Sequence, residues 1–275
     1  MKILRCLCLL LCLASPCFGW NAAGHKIVAL IAAAELEPKL NAQLEEILSA
    51  HPFPEARDLL SASVWPDQLK SHPEYARGPW HYSNLPLFLD VPPQAEPDPG
   101  RIVEALELNI ELLQDQDSSQ AEKAVALAWI IHLLGDIHQP LHSTSAYSTR
   151  LPKGDRGGNE YPLKYRGELT NIHSFWDSVG GRFWKGHKEK DLKAVADELR
   201  GRFPADALVE LTNPRQWRHE SHVLARYFAY PGVSFEQSVT PAYAATAQAI
   251  SEQRLALAGH RLAALLKVVL TPKDD

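Results

Sequence analysis

The segment AEKAVALAWIIHLLGDIHQPLH, residues 121–142, decides how this chain folds. Its apolar residues recur at helical spacing, and Val125, Ala128 and Trp129 run on into His132 and Asp136 along one stripe. Residues four apart on a helix are neighbours, so this imidazole and this carboxylate meet on the core-facing side. A polar pair there is costly unless satisfied, either by mutual pairing or by a metal ion. Pro140 ends the helix and leaves His142 to turn back toward its C-terminal end. Two imidazoles and one carboxylate make a donor mix suited to zinc.

The same spacing returns in NIHSFWDS, where His173 and Asp177 are again four apart. Helical periodicity dominates elsewhere. EPKLNAQLEEILSA places Leu40, Leu44, Ile47 and Leu48 on one face, and GRIVEALELNIELLQ does likewise with Ile102, Val103, Leu106, Ile110 and Leu113. The last long segment, PAYAATAQAISEQRLALAGHRLAALLKVV, starts plausibly at Pro241. Pro- and Gly-rich joins interrupt the helices, and EYPLKYRGEL is the only strand-like signal. The expected fold class is all-α, a single mostly helical domain over residues 20–275 with at most a small β-hairpin near residues 159–170.

Residues 1–19 read as a cleaved secretory leader. Lys2 and Arg5 precede an apolar run too short for a membrane span, and Cys17 and Gly19 are small residues suited to cleavage before Trp20. A lipoprotein reading around Cys17 is disfavoured by Pro16. The four cysteines all lie in this leader, so the mature chain forms no disulfide although export takes it where disulfides persist. Cleavage would free the α-amine of Trp20, and with His25 five positions on, both could hold a metal. The chain carries a formal charge of −5. That balance is a poor default for binding nucleic acid through Lys and Arg alone, an objection that lapses if bound metals supply the positive charge.

The motifs WNAAGH, SVWPDQLK, WHYSNLP, HLLGDIHQPLH, GGNEY, NIHSFWD, WRHES and LAGHRLAALL run along nearly the whole chain. Together they resemble the zinc-dependent, single-strand-specific nucleases, the secreted fungal enzymes and plant type I nucleases. The resemblance implies three zinc ions. Trp20, through its α-amine and carbonyl, and His25 would hold one; Asp67, His81 and His132 a second, with Asp136 bridging the two; His142, His173 and Asp177 the third. Asp67 and Asp136 would be the catalytic carboxylates. A water shared by two ions, with its pKa lowered to roughly 7 or below, would be the nucleophile, and no side-chain nucleophile would be needed.

By the same resemblance, Tyr82 would be the platform on which an unpaired base stacks, Asn84 would contact the base edge, and Lys70 would meet phosphate. Fungal members carry Phe and Asp at the first two positions and an arginine suits the third, so base preference stays open here. The implied activity is an endonuclease acting on single-stranded DNA and RNA, leaving 5′-phosphorylated products, with 3′-nucleotides as further substrates. The expected protein is a monomer, exported to the periplasm or secreted. Two alternatives stand beside it: a zinc phospholipase C of the same fold, against which Asp177 argues because that family uses Glu there, and a non-catalytic envelope zinc-binding protein. His138 is expected outside the metal shell. His51, His72, His187, His219, His222 and His260 are expected at helix surfaces or core edges, and Trp65, Trp80, Trp129, Trp176 and Trp217 in the core. The GDRGG loop with Asn159 is a candidate wall of the cleft.

Overall fold

A computed structural model describes residues 20–90, 98–206, 209 and 213–271, with backbone alone at 70 and 71. The leader, and the side chain of Lys70, lie outside the described residues. The helices are α1 (Ala22–Glu35), α2 (Pro38–Ser49), α3 (Leu59–Ala62), α4 (Ile102–Gln114), α5 (Gln120–His138), α6 (Ile172–Asp177), α7 (Glu189–Arg202), α8 (Pro214–Leu224) and α9 (Pro241–Leu270). The strands are β1 (Leu85–Phe88), β2 (Thr144–Tyr147), β3 (Pro162–Tyr165) and β4 (Glu168–Asn171). The chain is mostly helical, as its periodicity predicts.

The opening segment forms α5, and its boundaries follow from its caps. Ser119 and Glu122 form a reciprocal capping box at the start. At the end, Gln139 turns extended before Pro140, and Pro140–Ser143 form a single 3-10 turn. The single stripe expected for α5 is a correction: every residue from Ala126 to His138 is buried. Helices α1, α2, α4, α8 and α9 surround it, so its polar groups face an interior on every side.

Close helix approach is bought by glycine. A Cβ on Gly135 of α5 would lie 2.8 Å from Nδ1 of His25 on α1, and one on Gly259 of α9 would lie 2.5 Å from Cβ of Ile31. Two apolar cores result. The larger joins α1, α2, α4, α5, α7 and the C-terminal half of α9; the smaller gathers Leu141, Phe175, Trp176, Tyr230 and Tyr243 around α6 and the start of α9.

The expected hairpin is present, with β3 and β4 antiparallel from Pro162↔Asn171 to Tyr165↔Glu168. A second pair was not anticipated: β1 and β2 run parallel, Leu85 opposite Thr144 through Phe88 opposite Tyr147. Four-residue strands separated by α4 and α5 carry no hairpin signal, because their partner is remote in sequence. Two histidines expected toward the surface, His51 and His260, are instead buried. Four of the five tryptophans expected in the core are there, and Trp80 is half-buried.

The Gly259 contact gives a direct test of the α1–α9 interface. Alanine should gain about 1 kcal/mol of helix propensity but lose about 1–3 kcal/mol to overpacking against Ile31. Gly259→Ala is therefore expected to lower Tm in a thermal melt, and a raised Tm would show that α1 yields to it.

Candidate metal centre

Among the described residues, three groups of metal-capable side chains form: His25, Asp67 and His132; His81, His132 and Asp136; and His142, His173 and Asp177. Their positions are set locally. His25 follows the Asn21 cap of α1, and His173 and Asp177 follow the Asn171 cap of α6, at the first and last turns of short, firmly started helices. Asp67 sits in the 3-10 segment Trp65–Ser71, and His81 closes another at Gly78–His81.

Asp136 is the hub. Its Oδ2 lies 3.0 Å from Nδ1 of His81 and 3.1 Å from Nε2 of His132. Its Oδ1 lies 3.3 Å from Nε2 of His25 and 3.7 Å from Nδ1 of His142. Asp67 Oδ1 approaches the same nitrogens, 3.5 Å from His132 Nε2 and 3.8 Å from His81 Nδ1. In the third group, His173 Nε2 is 3.3 Å from Asp177 Oδ2.

Backbone carbonyls set the tautomers. Nδ1 of His132 donates to Ser63 O at 2.9 Å, Nδ1 of His142 to His81 O at 2.6 Å, and Nδ1 of His173 to Gly157 O at 2.6 Å. Each neutral ring then carries its lone pair on Nε2, the arrangement that holds metal-ligating histidines in register. Asp177 is steadied in turn by Gln139, whose Nε2 donates to Oδ1 at 2.6 Å. Nitrogen and oxygen atoms thus converge, with His81 Nδ1 lying 3.0 Å from both Asp136 Oδ2 and His132 Nε2. Both ring nitrogens of His25, Oδ1 of Asp67 and Oδ1 of Asp136 are buried without any hydrogen bond. Such atoms cost free energy unless a cation joins them. Imidazole and carboxylate donors with these shared oxygens fit closely spaced divalent ions of the zinc type.

The electrostatics of the ion-free cluster agree. Burial pushes the Asp177 carboxyl up to about 8, and burial together with His173 holds His142 down at about 3. For His132 the loss of solvation is outweighed by the Asp136 and Asp67 carboxylates, which lift it to about 9. Asp136 stays well below the usual carboxylate range, since His132 and His142 overcome its burial.

Trp20 is fully buried beside this cluster, its indole donating to Gly135 O at 3.0 Å. The amide of Asn21 donates to Asp177 O at 3.0 Å, tying the start of the described chain to the third group. His138, expected outside the shell, donates from Nδ1 to Leu134 O at 2.8 Å and accepts from Arg261 at Nε2.

A cavity of about 210 Å³ opens against His173 and is lined by Tyr82, Asn84, Asp98, Tyr147, Lys153 and Arg156 among others. Tyr82 Oη donates to Asp98 Oδ2 at 2.5 Å, and Asn84 Nδ2 donates to Asp98 O at 2.8 Å. Asp98, Lys153 and Gln139 were not singled out from sequence. Nothing in a loop aspartate or lysine announces them, whereas Gln139, between helix end and Pro140, was open to reading as a cap. Asp155 holds this wall in place: Tyr230 Oη donates to its Oδ2 at 2.7 Å and the Ala146 amide to its Oδ1 at 2.8 Å.

A family model for the S1/P1 nucleases matches residues 20–271. The chain belongs to the S1/P1 nuclease family. As a member of a nuclease family it is a hydrolase of phosphodiester bonds. Endonuclease 4 of Arabidopsis thaliana is 26% identical over 92% of this chain and 90% of its own length. Nuclease S1 of Aspergillus oryzae is 25% identical over 94% of both chains. Nuclease P1 of Penicillium citrinum is 25% identical over 89% of this chain and 95% of its own.

The raised carboxyl of Asp177 yields a signed prediction. Its folded-state value, about 8, exceeds the ordinary value of 3.8, so the metal-free fold loses stability as pH rises between the two. Asp177→Asn removes that loss. In chelator, the variant's Tm advantage over the parent should grow from pH 5 to pH 8, and with zinc the order should reverse. A pH-independent difference would contradict the buried-acid account.

Proposed function

We propose that this chain is an exported, zinc-dependent endonuclease that hydrolyses single-stranded DNA and RNA to 5′-phosphorylated products and also acts on 3′-nucleotides. The observation that carries the reading is the set of orphaned lone pairs around Asp136 and Asp67, adjoining the cavity beside His173. The names of relatives from fungi and a plant support the nuclease chemistry. In this reading three zinc ions are held by the α-amine and carbonyl of Trp20 with His25, by Asp67, His81 and His132, and by His142, His173 and Asp177. Asp136 bridges the first two.

Bound zinc would supply Lewis acidity, neutralising phosphate charge and lowering the pKa of water to near 7. The residues do the rest by placement. Asp136 aims one oxygen at His25 and the other at His81 and His132, so it would serve both of the groups that hold the first two ions. Tyr82 is fixed by Asp98 and offers its ring to an unpaired base. A duplex keeps its bases stacked on each other, which gives the preference for single strands. Asn84 gives one N–H of its side-chain amide to Asp98 O, leaving its second N–H and its carbonyl oxygen for a base edge. Lys153 and Arg156, which line the same cavity, would supply cations toward phosphate, and Lys70, three residues after Asp67 in the sequence, is the further phosphate contact of this reading. The net charge of −5 is then no obstacle, because the phosphate meets metal and local cations rather than the whole surface.

The test is release of acid-soluble nucleotides from single-stranded DNA by protein beginning at Trp20, with chelator and with zinc restored. Loss and recovery of activity is the expected result; no release from fully loaded protein, with turnover of lecithin, would replace the substrate class. The Trp20 assignment has its own check. One extra residue before Trp20 should lower bound zinc by one ion per chain, as counted by atomic emission, and an unchanged count would remove the amine from the ligand set.

A further inference from the structure

We infer that the outward face of α8 and the turn that follows it form a second binding surface for single-stranded nucleic acid, separate from the metal-lined cavity. The inference rests on the proposed function for its ligand. Arg215, Arg218, His219, His222 and Arg226 recur at three- and four-residue intervals, so they share one face. The opposite face, with Trp217, Ser221 and Ala225, is buried. Glu220, the only acid between residues 213 and 230, turns inward to Arg261 and Arg254, at 2.7 and 2.9 Å. It does not offset the outward cations. Among the described residues, Arg215 pairs with one acid, Glu107 at 3.7 Å. A cationic stripe of this kind on a chain of charge −5 fits a polyanion.

The turn supplies the second ingredient. Residues Ala225–Ala229 form a π-helical turn, in which the extra residue per turn leaves Arg226, Tyr227 and Phe228 exposed in succession between buried Ala225 and Ala229. Tyr227 is 59% exposed and Phe228 41%, and the Arg226 guanidinium lies 5.6 Å from the Tyr227 ring centre. Cations interleaved with exposed rings are how proteins hold single strands without reading sequence, the rings taking bases and the cations the backbone. A membrane surface would call for an apolar helix face, and the apolar face of α8 is spent in the core. The surface is tied to the metal centre by His222, whose Nδ1 lies 3.1 Å from Oγ1 of Thr144, two residues beyond His142.

The test uses Arg226→Gln/Tyr227→Ala and, separately, Arg215→Gln/Arg226→Gln, with a single-stranded 30-mer and a dinucleotide too short to bridge the two surfaces. Each variant should raise KM for the 30-mer roughly tenfold, the scale of one lost stacking or phosphate contact, and leave kcat and all dinucleotide parameters unchanged. The two-arginine variant should also flatten the slope of log KM against log salt by about 1.4. Equal effects on both substrates, or none on either, would overturn the inference. Fluorescence anisotropy of a labelled 30-mer in chelator separates this from the broader reading. Variant-sensitive binding without cleavage by the zinc-loaded parent would sink the nuclease activity and keep the surface. Cleavage with unaltered KM and anisotropy would sink the surface alone. Binding to phosphatidylglycerol vesicles that the variants lose, with oligonucleotide binding intact, would make the face a membrane contact instead.

Discussion

A carboxylate with no access to water has to be surrounded, and Asp136 is surrounded by imidazoles. Four of them, from α1, α5 and the 3-10 turns that carry His81 and His142, lie 3.0 to 3.7 Å from its two oxygens. That arrangement needs α5 enclosed on all sides, because any exposed face would let water compete for the same groups. It also needs α1 close enough for His25 to reach across, which Gly135 permits by having no side chain at 2.8 Å from that ring. Burying so many lone pairs is costly; the imidazoles pair with Asp136 in part, and a cation joining the remaining atoms would offset the rest.

Support for α5 comes from behind as well. Arg254 and Arg261 of α9 are both buried and both meet Glu220 of α8. Arg254 also donates from Nε to His138 O at 3.1 Å, and Ser221 donates from Oγ to Ile137 O at 2.6 Å. The last carbonyls of α5 are thereby capped by charged and hydroxyl donors where the helix itself has no more amides to offer. The turn to His142 starts from a fixed end, and the third group can form. Loss of Glu220 would leave two buried guanidinium groups without their carboxylate, which is the expensive way to break such a network.

How far the sequence exposed all this depends on what carried the information. The pair His132 and Asp136, the pair His173 and Asp177, and His142 after Pro140 were legible because helical spacing and a helix-ending proline act locally. Asp67 and His81 had no such signal and were reached only through the resemblance, since their partners on α5 lie more than fifty positions away. The hairpin of β3 and β4 is local and was visible; the parallel pairing of β1 with β2 spans two helices and was not. The carbonyls of Ser63, His81 and Gly157 that fix the histidine tautomers have no residue identity to betray them. His51 and His260 show the reverse case, histidines whose burial only the assembled helices reveal.

The central claim is that these converging lone pairs hold divalent ions. Crystals of protein beginning at Trp20, grown with zinc, should give three peaks in an anomalous difference map at the zinc edge. The expected positions are between Asp136 and His25, among Asp67, His81 and His132, and among His142, His173 and Asp177. A map with no peaks there, and with the imidazoles still at their present distances from Asp136, would mean that buried protons alone hold the cluster together and would contradict the account.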